Sequence, residues 1–171
     1  MAEAVVLVSG GAAVTPFTDP DRAAGSGLAA GNTLTALRAH LLDRGARVFT
    51  APARLGVGEV REDTGWQGFA DVPLVLPAEV TVNAGGTIDA GGSHLAAFLR
   101  WLGAEYDITH VDLVAHSMGG LFSRSAIREL HGAGPAVRRL VTLGTPWGGS
   151  LLGAVLSADV SIADAPGGPA T

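Results

Sequence analysis

The sequence predicts a doubly wound α/β domain built on a mainly parallel sheet. Short apolar runs rich in β-branched residues alternate along the chain with segments whose apolar residues recur at helical spacing. This is the pattern of repeated strand–helix–strand units. The strand-like runs are followed by glycine, serine or proline, as expected where a buried parallel strand leads into a loop. A chain of 171 residues has room for one hydrophobic core, so we predict a single domain over residues 1–171.

The first part of the chain predicts one strand–helix–strand crossover. Residues 5–8 form a buried strand that ends in a Ser-Gly-Gly turn. After a loop rich in glycine, Asn32 or Thr33 caps a helix that ends at Gly45, and residues 47–51 form the second strand. We expect this connection to be right-handed. The apolar face of the helix consists of Leu34, Leu37, Leu41 and Leu42.

The middle of the chain has weak periodicity. Residues 52–92 are rich in glycine and proline and contain one alternating stretch, at 79–82. We interpret them as a long surface insertion of the kind that often shapes a pocket. Ser93 then caps a helix that ends at Gly103. The apolar residues of this helix are Leu95, Phe98, Leu99 and Leu102.

Ser117 lies between a predicted strand and a predicted helix. The strand is an apolar run that leads directly into Ser117, and the helix extends from about Gly119 to His131. One more strand, over residues 137–143, follows this helix. Such an arrangement is typical of a nucleophile elbow, a strained turn that exposes a serine hydroxyl.

The residues around Ser117 meet the chemical needs of such a turn. The positions two before and two after the serine must be small, and Ala115 and Gly119 occupy them. A serine hydroxyl also needs a base, together with hydrogen-bond donors that stabilise the oxyanion of the tetrahedral intermediate. The predicted donors are the backbone N–H groups of Met118, at the helix start, and of Gly11, in the loop after the first strand.

Two blocks of sequence resemble the lipase branch of the α/β-hydrolase superfamily, in its bacterial serine lipase and esterase form. They are Ala-His-Ser-Met-Gly-Gly at residues 115–120 and Val-Thr-Leu-Gly-Thr-Pro-Trp-Gly-Gly-Ser at residues 141–150. The resemblance implies an α/β-hydrolase sheet and the hydrolysis of carboxylic esters, such as acylglycerols, through an acyl-enzyme on Ser117. It implies no metal and no organic cofactor. Ser9 is a departure, since the family usually carries histidine before the glycine of the oxyanion loop.

The acid and the histidine of such a site are harder to assign. In this superfamily they follow the serine along the chain. After Ser117 the sole histidine is His131, which ends the predicted helix and would lie roughly 20 Å from the serine. His110 begins the preceding strand and would lie roughly 23 Å away. The acids that follow the serine are Glu129, Asp159 and Asp164.

The other histidines are no better placed. His116 is adjacent to Ser117 but should project elsewhere, His40 is expected on the surface of the first helix, and His94 lies near a helix start at the carboxyl edge of the sheet. We therefore expect an amino-terminal portion of a longer hydrolase, with a sheet that is incomplete at its carboxyl-terminal side. Residues 150–171 would then be the start of a cap or lid, or a frayed tail.

Composition disfavours several other classes of function. The net charge is −5 and all 11 basic residues are arginine, which argues against a nucleic-acid-binding protein. The absence of cysteine excludes disulfides and thiolate metal sites. No apolar run is long enough for a transmembrane helix.

These features limit the expected partner and location. We expect a small-molecule or lipid ester as substrate, with at most peripheral contact with a lipid interface. The amino terminus has no secretory signal. The protein is therefore expected in the cytoplasm, or outside the cell if a leader has been removed.

Two alternatives rest on the same sequence features. The first is a catalytically silent α/β-hydrolase fragment or module that binds a lipid or a protein partner, since no base is assigned to Ser117. The second is an acyltransferase or amidase, which would use the same serine with a different acceptor or leaving group.

Overall fold

A four-stranded parallel sheet lies at the centre of the protein, in a computed structural model that describes residues 2–21, 33–61 and 74–149. In these ranges the strands are β1 (Glu3–Val8), β2 (Val48–Thr50), β3 (Ala53–Arg54), β4 (Val82–Asn83), β5 (His110–His116) and β6 (Ala136–Leu143). The central sheet has the order β2-β1-β5-β6, and each neighbouring pair is parallel. Strands β3 and β4 form a separate two-stranded parallel sheet.

Helices pack on both faces of the central sheet. They are α1 (Thr33–Asp43), α2 (Ile88–Tyr106) and α3 (Gly119–Leu130). The chain moves from β1 to β2 in one direction along the sheet, and from β2 through β5 to β6 in the other. Because parallel crossovers are right-handed, this reversal places α1 on one face and the pair α2 and α3 on the other. The predicted doubly wound parallel sheet is therefore confirmed.

In the described ranges, none of these helices combines the length and the apolar character needed to cross a membrane.

The register of the sheet brings three strand ends to one edge. Val8, the last residue of β1, is paired with Ala115 of β5. His116, the last residue of β5, is paired with Leu143, the last residue of β6. The loop after β1, the turn after β5 and the segment after β6 therefore begin side by side. This is the carboxyl edge, where open parallel sheets usually bind their ligands.

The hydrophobic core lies between the central sheet and the helices α2 and α3. Alternate residues of β1 and β5 face these helices, as expected for strands with a period of two residues. Phe17, from the loop after β1, is also fully buried, and its ring centroid lies 5.3 Å from that of Trp101 in α2. The core residues of the sheet, α2 and α3 that are at most 1% exposed are Val6, Val8, Phe49, Leu95, Ala96, Phe98, Leu99, Leu102, Val111, Leu113, Ala115, Phe122 and Ala126.

Helix α2 begins earlier than the sequence predicted. We expected Ser93 to cap it, but the helix begins at Ile88. The cap is Thr87, whose hydroxyl oxygen accepts a hydrogen bond from the N–H of Ala90 at 3.2 Å. The prediction was wrong because the glycines before Ser93 were interpreted as part of a loop.

Those glycines lie where α2 approaches α3. A side-chain carbon added at Gly91 would lie 2.6 Å from Cδ1 of Phe122, and one added at Gly92 would overlap with Cβ of Ser125. Glycine lowers helix propensity by about 1 kcal/mol relative to alanine. Here the lack of a side chain allows two helices to pack closely, which is a tertiary requirement that the local pattern does not reveal.

The predicted insertion at residues 52–92 contains more regular structure than expected. Strands β3 and β4 pair within it, and a 3-10 helix (Ala78–Val80) comes shortly before β4. Its last residues belong to α2. The predicted cap at Asn32 and the predicted lid or tail at residues 150–171 lie outside the described residues.

Arg38 is a buried charge on helix α1. Its side chain is 0% exposed, and its guanidinium donates hydrogen bonds to the backbone oxygen of Val48 at 3.1 Å, to Oγ1 of Thr50 at 3.3 Å and to the backbone oxygen of Asp19. Burial lowers the pKa of Arg38 from its ordinary value to about 10, and the carboxylate of Asp19 acts in the opposite direction. Arg38 is therefore charged at neutral pH, and it ties α1 to β2 and to the loop after β1.

A polar link joins the outer surfaces of α2 and α3. The hydroxyl of Ser93 donates to Oε2 of Glu129 at 2.6 Å, and Nη1 of Arg100 lies 3.3 Å from Oε1 of the same carboxylate. The hydrogen bond from Ser93 holds the pKa of Glu129 below its ordinary value. Burial acts to raise this pKa, and the interaction with Arg100 lowers it further. Ser93 therefore serves as a tie between two helices and does not cap α2.

We expect Arg38→Met to destabilise the protein by roughly 3 kcal/mol, because buried carbonyl oxygens would lose a charged donor. The matched control is Arg44→Met, just after α1, where the side chain is exposed. Its free energy of unfolding should change by no more than about 0.5 kcal/mol. Urea unfolding of both variants measures the difference, and equal midpoints would show that the guanidinium does not hold these segments together.

We expect Ser93→Ala to raise the pKa of Glu129 toward its ordinary value. Because the folded-state pKa lies below the unfolded-state value of about 4.5, the link stabilises the protein above that pH and is lost as the pH falls through the folded-state pKa. The gain is less than about 1 kcal/mol, since the pair is exposed. An NMR titration of the Glu129 carboxyl measures the shift.

The control for this titration is Ser125→Ala, whose hydroxyl donates to Asp89 between the same two helices. It should leave the pKa of Glu129 unchanged. A Glu129 pKa that is the same in Ser93→Ala and in the wild type would contradict the assigned cause.

Candidate active site

Ser117 occupies the turn between β5 and α3. Its φ is 52°, in the left-handed region that residues other than glycine rarely adopt. The next residue, Met118, already has right-handed helical angles, with φ −58° and ψ −19°. A strained residue of this kind persists only where the surrounding structure holds it.

Hydrogen bonds hold both backbone polar groups of Ser117. Its N–H donates to the backbone oxygen of Leu143 at 2.8 Å. Its backbone oxygen accepts from the N–H of Gly120 at 3.1 Å and from the hydroxyl of Thr145 at 2.8 Å. Leu143 and Thr145 belong to the end of β6 and the segment after it. The role of Thr145 was not predicted from the sequence, although this residue lies within the block at residues 141–150 that resembles the lipases.

Close contacts with neighbouring segments explain why the residues next to Ser117 are small. A side-chain carbon at Gly119 would lie 2.6 Å from the backbone oxygen of Ser9, and one at Gly120 would overlap with Oγ1 of Thr145. Ala115 is 0% exposed. The loop after β1 and the segment after β6 therefore both contact the start of α3, which leaves no space for larger side chains there.

The loop after β1 lies directly against Ser117. A side-chain carbon at Gly10 would be 2.8 Å from Cβ and 3.4 Å from Oγ of Ser117. One at Gly11 would be 2.6 Å from Sδ of Met118. The two glycines of this predicted turn are thus neighbours of the predicted nucleophile and of the residue that follows it.

The N–H groups of Gly11 and Met118 donate to no other described residue. Met118 is the residue before α3, and no side chain caps this end of the helix. Backbone donors and the positive end of the helix dipole favour negative charge here. The structure thus brings the three predicted site residues, Ser117, Met118 and Gly11, into one small region.

None of the described histidines forms a hydrogen bond with Ser117. The side chain of His116 is exposed. His110 is the first residue of β5, and its Nδ1 lies 3.0 Å from Oγ1 of Thr109. His131 follows the last residue of α3. The last two therefore lie at the far ends of the strand and the helix that meet at Ser117, as the sequence predicted.

The other described candidates for acid and base, His94 and Glu129, form no hydrogen bond with Ser117 either. His94 lies within α2, and its Nδ1 is buried without a hydrogen-bond partner among the described residues. Glu129 is engaged by Ser93 and Arg100, while Asp159 and Asp164 lie outside the described residues. In the described ranges, no group of three or more histidines and acids is arranged to hold a metal ion.

Comparison with known families supports the fold assignment. Residues 90–163 match the family model of the PGAP1-like alpha/beta domain, from α2 through Ser117 to beyond β6. This is less than half of the chain. A search of curated proteins finds no match. The sheet topology and this match together support the α/β-hydrolase superfamily, and the protein has an α/β-hydrolase-type fold.

We expect Gly119→Ala to destabilise the protein by about 1–3 kcal/mol, because the added methyl group meets backbone oxygens that cannot move independently. The matched control is Gly148→Ala, where nothing lies within 4 Å of the added carbon. Thermal unfolding of the two variants separates the effects. The close approach of the loop and the helix is contradicted if both variants unfold at the same temperature.

Proposed function

We propose that this protein is a serine hydrolase of carboxylic esters in which Ser117 forms an acyl-enzyme. The observation that carries the proposal is the left-handed backbone of Ser117 at the end of a central parallel strand, with hydrogen bonds on both of its backbone polar groups. A left-handed backbone at a serine costs free energy, and a surface serine without a function has no need of it. A nucleophile elbow requires one.

The chemistry of the site follows from its donors. Oγ of Ser117 attacks the carbonyl carbon of the ester, and the electron pair of the carbonyl bond moves to its oxygen. This oxyanion accepts hydrogen bonds from the N–H groups of Gly11 and Met118. Collapse of the intermediate releases the alcohol and leaves the acyl group on Oγ, and water then releases the carboxylic acid.

The same reaction needs a base that takes the serine proton and passes it to the leaving alcohol. No described histidine forms a hydrogen bond with Ser117, so no residue is assigned to this role or to the acid that would orient the base. The roles proposed are those of the nucleophile and the oxyanion donors.

Apolar surface near the loop after β1 supports a lipid-like ester as substrate. A cavity of about 620 Å³ has a mixed lining, which consists of Val14, Leu55, Gly58, Val60 and Ala78 together with the charged residues Arg54, Glu59 and Arg61. Val14 belongs to this loop. Leu55 and Val57 are 52% and 67% exposed. The apolar part of this lining and the exposed side chains of Leu55 and Val57 are suited to contact with an acyl chain.

Labelling with a fluorophosphonate, combined with turnover of p-nitrophenyl esters, tests the proposal. We expect the probe to modify Ser117, and Ser117→Ala to lose both the label and at least about 10⁴-fold in kcat. The control is Ser93→Ala, an exposed serine on α2, which should keep both. Labelling of another residue, or equal turnover by Ser117→Ala, would overturn the assignment.

A catalytically silent module is the second candidate, favoured because no described histidine forms a hydrogen bond with Ser117. In that case the wild-type protein would show neither labelling nor ester turnover, yet would bind a non-hydrolysable lipid ether. Isothermal titration with such an ether measures this binding directly.

A further inference from the structure

Two buried hydroxyl groups close the base of the loop after β1. Oγ of Ser9 lies 2.9 Å from Oγ1 of Thr15, and the two residues are 3% and 0% exposed. The loop between them contains Gly10, which touches Ser117, and Gly11, the proposed oxyanion donor. The hydroxyl pair therefore joins the two ends of the segment that would carry one half of the oxyanion site.

The tip of this loop is a tight turn with a strained residue. The N–H of Ala13 donates to the backbone oxygen of Gly10 at 3.4 Å, and Ala12 has a φ of 59°. A positive φ at the third position of such a turn usually requires glycine. Alanine here is strained, so the turn keeps its shape only if other contacts hold it.

Backbone hydrogen bonds hold the tip and one end of the loop. Ala12 donates to the backbone oxygen of Ala84 at 3.0 Å. Thr15 and Ala53 exchange a pair of backbone hydrogen bonds, at 2.8 and 2.9 Å. Ser9 comes directly after β1, so the bond between Ser9 and Thr15 ties the sheet to an already anchored residue.

We propose that the Ser9–Thr15 hydroxyl pair is a positioning element that sets the distance of the Gly11 N–H from Ser117. This inference rests on the proposed function. The contacts at Gly10 leave little tolerance, since an added carbon would be 2.8 Å from Cβ of Ser117. A shift of the loop by a fraction of an ångström would misplace the donor, and oxyanion stabilisation depends on its position.

A positioning role and a purely structural role predict different results for a double variant. Removal of one hydroxyl leaves the other buried without a partner, which costs stability. Replacement of both by apolar groups of similar shape can be nearly neutral. If the pair only stabilises the fold, activity should return with stability in Ser9→Ala/Thr15→Val. If it positions Gly11, stability should return and activity should not.

The experiment compares the wild type with Ser9→Ala, Thr15→Val, the double variant and Thr15→Ser, which keeps the hydroxyl. For the first three variants we expect kcat on a p-nitrophenyl ester to fall about 10- to 100-fold, a smaller loss than removal of a whole oxyanion donor. KM should stay within about twofold. Thr15→Ser should stay within a few-fold of the wild type. The urea midpoint should fall in the single variants and recover in the double variant.

Two results would overturn the inference. One is recovery of kcat together with the urea midpoint in the double variant. The other is wild-type kcat in all variants.

An independent readout is hydrogen exchange of the Ala12 amide. This exchange should be faster than in the wild type in every variant that lacks the hydroxyl of Ser9 or of Thr15. Unchanged exchange would show that the pair does not hold the loop.

Fluorophosphonate labelling separates this inference from the proposed function. If the wild type is not labelled at Ser117, the proposed function fails, and the positioning role fails with it. If the wild type is labelled and the variants react at the same rate, only the positioning role fails. Slower phosphonylation in the double variant than in the wild type and Thr15→Ser supports both.

Discussion

The left-handed backbone of Ser117 depends on the pairing of β5 with β6. The last residue of β6 accepts the N–H of Ser117, and Thr145, two residues further, donates to its carbonyl oxygen. These bonds place both polar groups of a strained peptide in fixed positions. Without β6 and the segment after it, the turn would lack two of the three hydrogen bonds that offset its strain. The geometry of the candidate nucleophile is thus a consequence of strand pairing.

The same edge of the sheet explains the density of glycine around the site. The register of β1 against β5 sets Ser9 beside the start of α3, where the backbone oxygen of Ser9 leaves no room for a side chain at Gly119. The side chain of Thr145 likewise leaves no room for a side chain at Gly120. Three backbone segments therefore meet within van der Waals contact. That closeness also brings the N–H groups of Gly11 and Met118, which donate to no other described residue, into one small region.

Helix α3 is held along its length, which keeps its positive end at Ser117. Phe122 is buried in the core near the start of the helix, and Glu129 is tied to Ser93 and Arg100 of α2 near its end. Close packing at Gly91 and Gly92 joins the two helices between these points. The field at the helix start is thus a fixed feature of the fold. Preorganised dipoles of this kind can stabilise developing charge without further rearrangement.

Much of the fold could be predicted from the sequence because each strand and helix shows which of its faces is buried. The alternation of strands and helices, the turn at Ser117 and the nearness of the strand ends follow from periodicity and from the handedness of parallel crossovers. The start of α2 could not be predicted in this way, since Gly91 and Gly92 have the same local appearance in a loop and at a helix contact. Nor could the burial of Arg38, whose acceptors come from β2 and from the loop after β1.

For the candidate site, the sequence by itself determined which serine is the candidate nucleophile, the neighbouring amide of Met118 and the need for small residues beside them, because these features lie within a few residues of one another. Only the tertiary structure decided how they are held. The bond from Thr145 to Ser117 joins residues on either side of α3, and the pair formed by Ser9 and Thr15 depends on a turn whose shape is set by contacts with Ala53 and Ala84. Hydrogen bonds of this kind require an exact distance between segments, and the packing of the whole sheet sets that distance.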